Sequence, residues 1–254
     1  MKKEIVIEVK NISKTFKKEN QRVDSFRSIF LNKKDKLSAT STEVHALSEI
    51  NFQIEKGETF GIIGRNGSGK STLVHLIIGC MKADPGGSIS THGKILRLAL
   101  GLGMDPNLSA RDNIYINGSV LGLSFKEIGL RFHDILDYAG LNDFVDTPIK
   151  NFSKGMQARL KFSIAMYAKA DIFLLDEFFG GVGDEEFKQK SNDAFKKSIV
   201  DQKTILIISH NKSIIEKHCD RVLWINGGKM KMIGKPDEVV AAYHESYIKK
   251  NKTP

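Results

Sequence analysis

The sequence predicts an α/β fold in which helices cover a largely parallel sheet, and three observations carry that prediction. Residues 60–63, 172–175 and 204–208 are continuous apolar runs of strand length, the pattern of strands buried on both faces. Helical spacing separates them, clearest between 109 and 150, where Ile114, Val120, Leu121, Phe132, Ile135, Leu136 and Tyr138 recur at helical intervals. A glycine-rich loop links the first run to an apolar helical stretch at 73–78, the strand, loop, helix order of an α/β unit.

Composition bounds what such a fold can be. The 254 residues are 41% hydrophobic and 27% charged, which excludes collagen-like, low-complexity and wholly disordered chains. Basic side chains number 39 against 30 acidic ones, and the net charge of +9 favours an anionic partner: nucleotide, nucleic acid or lipid. Two cysteines, Cys80 and Cys219, are too few for a disulfide framework, and the N-terminal Met1-Lys2-Lys3-Glu4 lacks a signal peptide's apolar stretch. The reading is cytoplasmic. No apolar run approaches the roughly 18 to 20 residues that cross a bilayer, so a membrane role would be borrowed from another chain.

Along the chain, residues 5–9 and 50–54 alternate or nearly alternate as half-buried strands do. Between them, 17–43 reads as an inserted polar segment. It carries Phe26, Ile29, Phe30 and Leu31 after a possible Ser25 cap, an amphipathic set that suits either a membrane-side contact or a small satellite core. The helical region, about 105–168, reads as a sub-domain inserted in the α/β core, broken by Gly118, Gly122, Gly140 and Pro148. After Gly234, Val239, Val240, Tyr243 and Tyr247 predict a docking helix within 235–254, ending in solvated lysines.

The sharpest motif is Gly64-Arg65-Asn66-Gly67-Ser68-Gly69-Lys70-Ser71-Thr72, which fits G-x4-G-K-[ST] in the strand, loop, helix setting that motif requires. Glycines belong there because backbone N–H groups must turn inward around phosphate oxygens, where a Cβ would obstruct the turn. The following helix adds its positive dipole end. Lys70 would reach the β- and γ-phosphates of a nucleoside triphosphate, and Ser71 would offer a hydroxyl to Mg²⁺.

A second motif, 172–177, ends a buried strand in Asp176 and Glu177. Beside a phosphate loop, the first acid would hold Mg²⁺ and the second would polarise a water for in-line attack. Taken in isolation, the pair also reads as a strand ending in solvent. His210 follows the strand 204–209 and could donate to the γ-phosphate; alone it reads as a structural histidine.

Together these residues resemble the ATP-binding subunits of ABC transporters, because Phe152-Ser153-Lys154-Gly155-Met156-Gln157 lies between the phosphate loop and the paired acids, in the place of that family's L-S-G-G-Q signature. A serine at a helix start offers a hydroxyl and backbone N–H groups to an anion, although an ordinary N-cap would account for the same residues. The resemblance covers essentially the whole chain, from Val6 to about Tyr243. It implies a RecA-like P-loop ATPase core with an N-terminal antiparallel β region and an inserted α-helical sub-domain, all within one nucleotide-binding domain spanning 1–254. It also implies a head-to-tail homodimer with ATP and Mg²⁺ between the subunits, where Ser153 and Gly155 contact the γ-phosphate held by the other copy.

In the same resemblance Phe16 matches the aromatic that stacks on adenine, though a core aromatic explains it as well, and Asp184 matches the aspartate of the D-loop. The family's glutamine is absent from the segment 98–112, and Asp105 stands in its alignment position. Within the family, residues 100–114 and the V-G-D ending at Asp184 resemble the ATPases that export O-antigen polysaccharide or wall teichoic acid. That implies a separate transmembrane permease dimer, a lipid-linked polysaccharide cargo, a position on the cytoplasmic face of the plasma membrane, and no nucleic acid. Two rival readings stay open: an importer or a drug or lipid exporter, and a soluble ABC ATPase acting on ribosomes or DNA, for which the positive charge is mild support.

Overall fold

The protein is described from a computed structural model over residues 3–18, 42–98, 103–176, 189, 203–209 and 211–250. The strands are β1 (Ile5–Lys18), β2 (Thr42–Glu55), β3 (Thr59–Ile63), β4 (Ser88–Thr91), β5 (Ile95–Arg97), β6 (Ile172–Asp176), β7 (Thr204–Ile208), β8 (Arg221–Asn226) and β9 (Lys229–Gly234). The described helices are α1 (Lys70–Ile77), α2 (Ala110–Val120), α3 (Phe125–Ala139), α4 (Lys154–Ala165), α5 (Lys212–His218) and α6 (Pro236–Lys250). None of the described helices is long and apolar enough to cross a membrane.

Two sheets form. One is antiparallel, in the order β2-β1-β4; the other runs β5-β6-β7-β3-β8-β9, parallel throughout except for the last pair. The runs that read as doubly buried strands are the inner strands β3, β6 and β7, and every residue of β3 and β7 is buried. Side chains alternate across a strand, so each inner strand feeds two cores. Phe60, Ile62, Leu174 and Leu206 pack with α1 and the antiparallel sheet, whereas Ile63, Phe173, Leu175, Ile205 and Ile207 pack with α2–α4 and α6. Each such fully buried side chain is worth about 1.5–3 kcal/mol relative to exposure. Gly61 faces α5, where a Cβ would come within 2.9 Å of Cys219 Sγ. Burial pushes that thiol up to about 12, so Cys219 serves as packing rather than as a nucleophile.

The structure extends the short strands read from the sequence, since β1 runs on to Lys18 and β2 begins at Thr42. Gly118 does not break its helix. It lies inside α2, where a Cβ would sit 3.0 Å from Ile128 Cδ1, so its smallness lets α3 close on α2. Gly140 does end α3, at φ +65°. The tail forms α6 as expected, with Val239, Val240 and Tyr243 buried. The amphipathic set of the 17–43 insertion lies outside the described residues.

Helix α3 is started by a capping box: Ser124 Oγ accepts from Glu127 N, and the Glu127 carboxylate accepts from Ser124 N at 2.9 Å. Glu127 also pairs with Lys169. Lys169 above all, then the Ser124 amide and hydroxyl, hold the Glu127 carboxyl at about 2, below its ordinary 4.5. A depressed carboxyl pKa gives stability that is present above the unfolded value and is lost as pH falls through the folded one. Thermal melts followed by circular dichroism should therefore show the wild type losing more Tm than Glu127→Gln between pH 4.5 and pH 2.

Candidate functional site

The site grows from the carboxyl edge of the parallel sheet. Ile62 of β3 pairs in register with Ile208 of β7, and Ile208 pairs with Asp176 of β6. These three Cα positions form one row across adjacent strands, which spans roughly 10 Å at the usual inter-strand spacing. Chain ends emerging from such an edge converge on one crevice. The loop 64–69 leaves β3 at this edge and delivers the chain into α1.

Close backbone contacts shape that loop. A Cβ on Gly64 would lie 2.3 Å from Ile225 O and 2.6 Å from Ser68 Oγ. Gly67 and Gly69 have φ of +77° and +105°, and a Cβ on Gly69 would meet Ala46 O at 2.6 Å and Leu47 Cδ2 at 2.7 Å. Only glycine fits these conditions without rearrangement. Gly69 caps α1 with no side-chain hydrogen bond, so the helix presents its first amides toward the loop. Lys70 Nζ donates to Gly64 O at 2.7 Å and to Arg65 O at 2.9 Å, which brings its positive charge back over the loop. Asn66, Gly67, Gly69, Lys70, Ser71 and Thr72 line an open cavity of about 490 Å³, together with residues 44–46 of β2, Ile208, Gly227 and Gly228.

Phe16 pairs with Val44 across the β1–β2 ribbon, next to residues that border the cavity. The residue is 38% exposed, with Lys14 Nζ 5.5 Å from the ring centroid. Phe16 belongs to neither apolar core of the described residues, and Lys14 lies over its ring. Asp176 stands at its register position at the end of β6; Glu177, Asp184 and His210 lie outside the described residues.

Ser153 and Gly155 do not line this cavity. Ser153 is the N-cap of α4 and accepts from Met156 N at 3.1 Å, so the N-cap reading holds, and the residue is exposed. Among the described residues Gly155 has no close neighbour: a Cβ there would meet Ser153 Oγ, at 3.8 Å.

The loop at 103–109 is knotted onto α2 by Asn113, a residue to which the sequence reading gave no role. Fully buried, its Nδ2 donates to Asp105 O, Leu108 O and Ser109 O, and its Oδ1 accepts from Asp105 N at 2.8 Å. Asp105 turns its own carboxylate onto Asn107 N at 2.8 Å, so the residue in the glutamine's place is engaged in its own loop.

A glycine-rich loop, the helix it starts and the aspartate end of β6 thus lie along one sheet edge. The family model described as ABC transporter matches residues 47–180, just over half of the chain. The chain belongs to the ABC transporter family. Among ABC relatives, the O-antigen export system ATP-binding protein RfbB of Klebsiella pneumoniae is 39% identical over 79% of this chain and 81% of its own length. RfbB of Myxococcus xanthus is 39% identical over 94% of this chain but 55% of its own length. The teichoic acids export ATP-binding protein TagH of Lactococcus lactis is 39% identical over 82% of this chain and 44% of its own. The chain thus spans about half the length of the last two. An ATP-binding subunit of an ABC transporter superposes with a TM-score of 0.69 at 21% identity, covering 97% of this chain and 100% of that one. A dimeric ATP-binding cassette solved in a post-hydrolysis state with ADP and Pi gives 0.62 at 21%, covering 91% and 98%. Both establish the ABC ATPase fold, with its RecA-like P-loop core.

Proposed function

We propose that this chain is one nucleotide-binding domain, the ATP-hydrolysing subunit of an exporter of a lipid-linked polysaccharide, working as a homodimer beneath a transmembrane permease dimer at the cytoplasmic membrane face. The observation that carries the reading is the cradle at 64–72, where main-chain contacts demand glycine at 64 and 69, a positive φ favours it at 67, and the lysine folds over the loop. Relatives named for O-antigen and teichoic acid export support the cargo class.

Backbone amides of 65–70 and the start of α1 would bind the triphosphate, Lys70 would neutralise its terminal oxygens, and Phe16 would stack on the adenine. The cradle has the shape and donors for a triphosphate, and a serine hydroxyl with a strand-end carboxylate is the oxygen set that magnesium takes. Ser71 and Asp176 would hold that ion, which supplies charge neutralisation on the phosphates when bound. Glu177 would accept a proton from water as its oxygen bonds the γ-phosphorus and the bond to the β–γ bridging oxygen breaks; His210 would donate to the γ-phosphate.

Gly155 supports the dimer. Glycine is a weaker helix former than alanine, and none of the described residues of its own chain requires it there. Close approach of another molecule would explain it, and in a head-to-tail pair that molecule is the nucleotide on the sister subunit, also met by Ser153 and flanked by Asp184. The test is subunit mixing. Lys70→Ala and Gly155→Arg should each be inactive alone, whereas their mixture should recover partial ATP hydrolysis, because one mixed site joins an intact cradle to an intact helix start. No recovery on mixing would reject the shared site. Stimulation of hydrolysis by the reconstituted permease would test the export assignment.

A further inference from the structure

We infer that the tip of the β8–β9 hairpin clamps the phosphate loop, which makes Gly228 a positioning residue for the nucleotide. The inference rests on the nucleotide reading above and adds a part to that site. Asn226 pairs with Lys229, leaving Gly227 and Gly228 as a two-residue turn with φ of +57° and +73°. Both angles are positive, as a type I′ hairpin turn demands.

The turn is wired to the loop through main-chain atoms. Gly228 N donates to Ser68 O at 3.0 Å, and Gly228 O accepts from Ser48 N of β2 at 2.8 Å. One residue therefore ties the loop to the antiparallel sheet. A Cβ on Gly228 would stand 2.6 Å from Ala46 O, the same oxygen that a Cβ on Gly69 would meet at 2.6 Å. A turn glycine and a loop glycine press on one carbonyl from two sides. Farther along β8, Ile225 O crowds Gly64 at the loop's other end. Strand β8 and its turn thus brace the cradle at both ends.

The loop needs such bracing because glycine torsions are soft. Ser68 sits between Gly67 and Gly69, and without an outside anchor its peptide could rotate among many conformations, few of which aim the amides at a phosphate. The Gly228 amide fixes the Ser68 carbonyl and so selects the inward arrangement. An added methyl at 228 forces the turn away from Ala46 by several tenths of an ångström and stretches the bond to Ser68. Misplacements of about 1 Å in pre-organised sites cost on the order of 100-fold, so a shift of this size is expected to weaken binding about tenfold.

The experiment compares Gly228→Ala and Gly228→Asn with Gly140→Ala and Gly140→Asn, using titration calorimetry of Mg·ATP and melts for stability. Gly140 has a similar φ of +65°, and among the described residues no atom lies within 4 Å of a Cβ placed there. Asparagine tolerates left-handed backbone, so it should repair a purely torsional defect at 140. At 228 it should not, because its Cβ meets the same carbonyl. Expected are a roughly tenfold rise in Kd for both 228 variants and unchanged Kd for both 140 variants. Wild-type Kd in folded Gly228→Ala, or recovery in Gly228→Asn, would overturn the clamp.

Amide exchange in the wild type gives a readout that does not depend on either variant folding. By linkage, if the Gly228–Ser68 bond favours binding, then binding must favour the bond, and Mg·ATP should slow exchange of the Gly228 amide. Unchanged exchange at saturating Mg·ATP would also overturn the inference. A wild type that binds no Mg·ATP would instead defeat the nucleotide reading, and the clamp with it.

Discussion

Lys70→Ala is expected to weaken Mg·ATP binding about 100-fold or more and to abolish hydrolysis, while leaving the protein folded. Lys70 Nζ already bonds two carbonyls of its own loop, Gly64 O and Arg65 O, so its charge is poised over the cradle. Hydrogen bonds to charged groups are worth about 1.5–3 kcal/mol each, and the lost charge also removes stabilisation from the transition state, where the γ-phosphoryl oxygens carry most charge. Stability should change little, because the lysine is not part of either apolar core. Calorimetric titration with Mg·ATP and a phosphate-release assay check both halves. Wild-type affinity in a folded Lys70→Ala protein would remove the lysine from the site.

Glu177→Gln should separate binding from chemistry. Glutamine keeps the size and a carbonyl oxygen but cannot take a proton from water, so turnover should fall by about 10²- to 10⁴-fold. The cradle at 64–72 and the start of α4 are untouched, and ATP should still drive two copies together. Sedimentation with and without ATP, beside steady-state phosphate release, reads the two effects separately. Steady-state hydrolysis at the wild-type rate would reject Glu177 as the base. Dimerisation lost together with turnover would instead point to a role in assembly.

The parts of the fold legible in the sequence were those in which burial dictates composition. Strands β3, β6 and β7 are apolar at every interior position because two cores claim alternate side chains. The short strands β4 and β5 are only partly buried and left no periodic signature. The β8–β9 hairpin did leave one, since Gly227-Gly228 between two strand-like runs is a turn signal, and it went unread. At the site, the spacing of the glycines, lysine and serine gave the loop, because phosphate chemistry fixes those residue types.

What the sequence could not carry was the loop's surroundings. The atoms that hold it are Ala46 O, Ile225 O and the Gly228 peptide, and a main-chain oxygen looks the same whatever residue bears it. Asn113 was missed for a related reason: a buried asparagine bonded to three carbonyls cannot be told from a surface one by its letter.

The two-sided crowding of Ala46 O makes the cradle unevenly robust to genetic change. Because an oxygen of the main chain does the pressing, no exchange of the alanine side chain can make room for a larger residue at 69 or 228. Saturation mutagenesis would meet a wall at the two glycines, with no second-site suppressor available at the residue they touch.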